Sequence, residues 1–209
     1  ADVALYYRNQ EEGWGKNLFN GDEANWVDNK AVRSKWMLQL ERTQMTVSVD
    51  WSHTDNDLCN QPRQIRRGLG MDGVTTYPGF YNYNINYDHG SKATQRGASL
   101  KIDRQLDRAR LVNITSFRRY KNNEVPDQDH TPNSLLEFDV ESDVKAFTQE
   151  LQLQSLADSD ISWVVGAFYM YDKAGYVPVG FGGGLFQPPF FPFANEGVNL
   201  NAVQKTDSY

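Results

Sequence analysis

The chain has one cysteine, three histidines, no excess of positive charge and no apolar run of eighteen residues. Each shortage excludes something. With Cys59 alone, no internal disulfide can form. Cys59 and His53 lack the further closely spaced Cys or His partners that a zinc site needs. A formal charge of -6 removes the basic surface that nucleic acid demands, so no nucleic-acid partner is expected. Without a long apolar run there is no transmembrane helix, although a membrane barrel needs only alternate strand residues to face lipid. No basic-then-apolar leader opens the chain.

What is present is alternation. The stretch 144–172 reads as a hairpin: Phe147, Leu151 and Leu153 share one parity, and Thr148, Glu150 and Gln152 the other. After the polar break at Asp158, Ser159 and Asp160, a second arm places Ile161, Trp163, Val165, Ala167, Tyr169 and Tyr171 on one face. Successive strand residues point to opposite faces, so each arm has a greasy side. The same pattern recurs upstream. Val3, Leu5 and Tyr7 open a first strand. Val32, Trp36, Leu38 and Leu40 form the apolar side of a second, and Met45, Val47, Val49 and Trp51 that of a third. Ala98, Leu100 and Ile102 mark a fourth. In a fifth, residues 109–121, Val112 and Ile114 compete with Leu111 and Phe117, so pattern alone leaves its facing open.

The seven candidate strands are joined by connections of alternating length. Those at 9–29, 55–90, 122–143 and 173–205 are long and rich in Gly, Pro, Asn or Asp, whereas those at 41–44, 104–108 and 156–160 are short. Short turns at one rim and long loops at the other suit an outer-membrane barrel. The expected fold is therefore all-β: a partial antiparallel transmembrane β-barrel of about seven long strands, with short periplasmic turns and long extracellular loops. Seven strands cannot close such a barrel, so further strands are expected beyond the chain.

The motifs carry a family resemblance. ARLVNITSFRRYKN resembles a recurrent strand of the TonB-dependent receptors of Gram-negative outer membranes. FTQELQLQS (residues 147–155) and ISWVVGAFYMYDK (161–173) resemble the pair of strands that follows it, and the segment from Ala4 to Leu40 resembles an earlier part of their barrel. The resemblance implies that residues 1–209 are an incomplete barrel domain without plug, TonB box or C-terminal strands. The family's barrel has about 22 strands around a plug. It implies a receptor in the cell outer membrane that actively imports a scarce substrate, most often a ferric siderophore or related iron chelate. Implied partners are the TonB–ExbB–ExbD complex, reached through the missing plug, the small-molecule metal chelate, and outer-membrane lipid. A passive porin-like channel and a soluble all-β binding or structural domain are the alternatives. In water, such a fragment is expected to aggregate.

No catalytic constellation is evident, so no enzymatic activity, cofactor or resident metal is expected. His53 with Asp55 and Asp57, and His130 with Asp127 and Asp129, read as solvated acidic loops rather than Ca²⁺ sites. Gly182, Gly183 and Gly184 precede no Lys-Ser/Thr and read as a flexible loop. The polar parity places Arg33, Lys35, Asp50, Lys101, Glu150 and Gln152 toward a lumen. Loops on a rigid scaffold are better candidates for recognition. One is the basic patch Arg63, Arg66 and Arg67, followed by Tyr77, Phe80, Tyr81 and Tyr83. The other is the Gly-, Pro- and Phe-rich segment with Phe181, Phe186, Phe190 and Phe191.

Overall fold

A computed structural model describes residues 1–10, 12–57, 69–76, 79–86, 90–190 and 197–209. Ten strands occur among them: β1 (Asp2–Gln10), β2 (Gly15–Lys16), β3 (Glu23–Ala24), β4 (Val27–Leu40), β5 (Thr43–Asn56), β6 (Gly90–Gln105), β7 (Arg110–Val125), β8 (Glu137–Gln154), β9 (Val164–Gly182) and β10 (Val198–Ser208). Eight form one antiparallel sheet in the order β1-β4-β5-β6-β7-β8-β9-β10, and β2 pairs with β3 as a separate small hairpin.

The alternation sets the facing of every long strand. The register aligns Val32, Trp51 and Arg96, and, lower down, Trp36, Val47, Leu100 and Thr115. It continues through Phe117, Phe147 and Tyr171. One face thus gathers the apolar parity of β1, β4, β5 and β6 and of the middle of β7, β8 and β9, whereas beyond the register shift Phe138, Val140, Val179, Phe181 and Leu200 lie on the other. The ambiguity in β7 resolves with Leu111 and Phe117 on this face and Val112 and Ile114 on the other, where Val112 is buried.

The expected barrel is not there. The sheet is all-β and antiparallel but open, with β1 and β10 as its two edges and no pairing between them. An open edge leaves a row of backbone donors and acceptors that hydrocarbon cannot satisfy, so a transmembrane barrel requires closure that this sheet does not make. No helix among the described residues is long and apolar enough to cross a membrane. The strand count also differs: β9 runs on to Gly182, β8 begins at Glu137, and β10 occupies residues read from sequence as loop.

A single layer has no interior between sheets. Trp36, Leu38, Val47 and Trp51 remain 37–54% exposed on the apolar face. The buried apolar cluster, Ala24, Tyr83 and Ile85, lies instead at the end of the sheet that carries the long connections. That end holds the candidate site.

On the polar face, one ion pair spans a whole strand. Asp50, Gly97 and Arg118 are aligned partners on β5, β6 and β7. Arg118 donates to Asp50 from Nη1 and Nη2 at 3.3 and 3.2 Å, passing over the side-chain-free Gly97. A Cβ on residue 97 would lie 3.0 Å from Asp50 Oδ1 and 3.2 Å from Arg118 Nη2. Gly97→Val is therefore expected to part the pair. The pair is half-exposed, so the loss is about 1 kcal/mol or less, read from urea midpoints of wild type and variant. An unchanged midpoint together with an unmoved Arg118 side-chain resonance would show the bridge to be absent in solution.

Candidate functional site

The long connections fold into a crown held by buried polar groups. The β2–β3 hairpin is drawn against residues 79–86. Asn17 donates from Nδ2 to the Ile85 carbonyl at 2.9 Å, and its Oδ1 accepts from the Ile85 amide at 3.1 Å. The Leu18 amide donates to the Tyr83 carbonyl, and the Tyr83 amide to that of Lys16. Asp57, immediately after β5, closes the unit: its Oδ2 accepts from the Asn25 amide at 2.5 Å and from the Tyr83 hydroxyl at 3.0 Å. Burial pushes the Asp57 carboxyl up, against those hydrogen bonds. Two glycines permit the close approach. A Cβ on Gly13 would sit 1.7 Å from the Ala24 oxygen, and one on Gly15 2.2 Å from the Tyr81 oxygen.

That approach brings Trp14 onto residues 80 and 81. The rings of Trp14 and Tyr81 meet edge-on with centroids 5.6 Å apart, and those of Tyr81 and Phe80 at 4.9 Å. All three remain open to solvent, Phe80 at 87%. The result is an exposed chain of three aromatic rings above a buried hydrogen-bonded base.

A second polar unit lies in the β7–β8 connection. Asp129 is fully buried and accepts from the Thr131 amide (2.9 Å) and hydroxyl (2.6 Å), and from the amides of Leu135 (3.0 Å) and Leu136 (2.8 Å). Asp127 accepts from the His130 amide at 2.7 Å. This unit is joined to its neighbours through the Met71 amide on the Asp129 carbonyl and the Asn86 amide on the Thr131 carbonyl. Gly184 and Leu185 join it from the β9–β10 connection through the carbonyls of Ser134 and Leu135. The Asp127–Asp129–His130 cluster is therefore not a solvated loop but the buried frame of the crown. His53 is separate: its Nδ1 lies 3.0 Å from the Thr94 hydroxyl and its ring stacks near Trp51. Among the described residues, no three His, Cys, Asp or Glu side chains converge as metal ligands. Gly182 ends β9, and Gly183, at φ 92, turns tightly against the Leu135 carbonyl rather than forming a loose loop.

The sequence candidates disperse. Arg63, Arg66, Arg67, Tyr77 and Phe191, with Cys59, lie outside the described residues. Phe80 and Tyr81 stand on the crown surface, whereas Tyr83 is a buried structural residue. Phe181 packs edge-on with Phe138 at 4.8 Å and against Phe186 at 5.6 Å, while Phe190 is exposed. Arg33, Lys35, Asp50, Lys101, Glu150 and Gln152 share the polar face by register, but the open sheet forms no closed lumen for them to line. Trp14 was not among the candidates. The close glycines on either side of it, at 13 and 15, were the signal that its backbone approaches another segment.

No protein-family model matches the chain, and no curated protein or solved structure matches it. The likeness to TonB-dependent receptors thus fails on the open sheet and gains no support from these comparisons. With it fall energised import, siderophore uptake, and an outer-membrane location inferred from barrel closure. A porin-like channel falls for the same reason, since the described strands enclose no pore.

Proposed function

We propose that this chain is a binding domain without catalytic activity, in which a single-layer sheet supports a crown that takes planar aromatic small molecules. The observation that carries the reading is the exposed Trp14–Tyr81–Phe80 chain on a buried polar base. Large exposed aromatics cost solvation, and a base rigid enough to hold them edge to edge limits the ordering cost of binding. Each edge-to-face contact occupies one face of one ring, and the remaining faces of the three rings stay open to a flat ligand.

The five tryptophans give a site-resolved test. In ¹⁵N-indole spectra titrated with 1-naphthol, the Trp14 signal is expected to move, while those of Trp36 and Trp51 on the sheet face, and of Trp163 just before β9, stay put. Phe80→Ala with Tyr81→Ala is expected to weaken binding roughly tenfold, at ~0.5–1.5 kcal/mol per aromatic contact. Equal movement of all five signals, or unchanged affinity in the double variant, would refute the reading.

A further inference from the structure

The apolar face changes character toward the crown. Arg96, Arg119, Lys145, Lys173 and Lys205 are direct register partners on β6 to β10 and point the same way. Adjacent strands are ~4.8 Å apart, a spacing at which like charges repel. In a chain of net charge -6, this row needs a counter-charge. Asp143, one register step away, is already occupied: Arg119 clamps it through Nε at 2.9 Å and Nη2 at 2.6 Å. Lys121, Lys145 and Lys173 have no carboxylate within ion-pairing distance among the described residues, whereas Lys92 reaches Asp55 at 3.6 Å.

These lysines wall a cavity of about 510 Å³. Lys92, Lys121, Lys145 and Lys173 surround it, and Val177 and Val203 line it beside Gly175. A Cβ at Gly175 would come 2.7 Å from the Ala202 oxygen and 2.9 Å from Val203 Cγ2. With Lys92 paired to Asp55, three ammonium groups face two carboxylates, Glu141 and an Asp143 that Arg119 already clamps and that Lys145 and Lys121 act on more weakly.

We propose that this cavity binds a phosphate-bearing ligand, its charge on Lys121, Lys145 and Lys173 and its organic part on Val177 and Val203. Lysine ammonium groups hold phosphate as movable point charges, and several together favour a multiply charged anion over a single carboxylate. The phosphate is either free in solution or carried by a lipid headgroup; both present the same chemistry to the lysines. The site lies on the sheet face, apart from the crown aromatics, and stands or falls without them.

The test is calorimetric titration of the whole chain with inorganic tripolyphosphate, and with micelles of short-chain phosphatidic acid or, as neutral comparison, phosphatidylcholine. Lys145→Gln with Lys173→Gln is expected to weaken the phosphate probes roughly tenfold or more, and Lys35→Gln, on the opposite face, to leave them unchanged. Added salt should weaken binding in parallel. Lysine-dependent binding of tripolyphosphate supports the site with a free ligand. Binding of phosphatidic acid micelles alone supports it with a lipid headgroup. Failure of both at millimolar concentration, or equal binding by the double variant and wild type, overturns it.

Discussion

Asp129→Ala is expected to unfasten the crown while leaving the sheet paired. One buried carboxylate satisfies three backbone amides and a hydroxyl across residues 131–136. Truncation removes four charge-assisted bonds and strands the Thr131 and Leu136 amides away from water, whereas the Leu135 amide keeps the Asn133 carbonyl, at a local cost of about 4 kcal/mol or more. Hydrogen exchange should show the amides of Thr131 and Leu136 losing roughly a thousandfold protection, at ~1.4 kcal/mol per tenfold, with a smaller loss at Leu135. Amides in the middle of β5 and β6 should keep theirs. Asn at this position keeps one acceptor oxygen and should fall between. Retained protection in the alanine variant would mean that the turn is held by its backbone alone.

The second large effect is a dependence on pH. The Asp127 carboxyl is pushed up to about 7, first by burial and then by the charges of Asp129 and Glu137, against the hydrogen bond from the His130 amide. Its Oδ2 has no hydrogen-bond partner among the described residues. Unfolded, the group titrates near 3.8. Between these values the folded crown holds a proton that the unfolded chain releases. The contribution of this group is therefore fully present below about pH 4 and is lost as pH rises through 7. His130 acts in the opposite sense: burial lowers it, so its contribution is lost as pH falls below its ordinary value near 6.5. Asp127→Asn isolates the first effect. It should leave stability nearly unchanged at pH 4 and raise it progressively toward pH 8, to a ceiling of about 4 kcal/mol. Urea unfolding of both proteins across this range measures the difference. A constant difference at all pH values would place the Asp127 proton elsewhere.

The facing of the strands was legible because it depends only on period two. Trp36, Val47, Trp51, Leu100, Phe147 and Leu153 lie on one side, as their spacing requires. Closure was not legible: alternation fixes what faces where on each strand, but not whether the first strand meets the last. β10 escaped because a register shift between Leu200 and Ala202 breaks the alternation of Val198, Leu200 and Val203. The early part of β8 hid behind its charge and a similar shift between Val140 and Ser142. The crown was misread for a chemical reason. Asn17, Asp57, Asp127 and Asp129 have the composition of a wet loop, and only three-dimensional contacts reveal that their polar atoms are spent on amides inside the fold. In the same way Tyr83 looked like a ligand contact until its hydroxyl was found on Asp57.

In the large sheet each strand is bonded to the next one along, with only the β2–β3 hairpin passed over between β1 and β4. Such a sheet behaves as a linear array, in which stability accumulates through nearest-neighbour terms rather than through a single enclosing closure. Its length is therefore a variable rather than a geometric constant. Deleting β10 would leave the pairings from β1 to β9 unchanged in register, and a duplicated β-hairpin inserted after β9 would extend the ribbon without forcing the other strands to re-tilt.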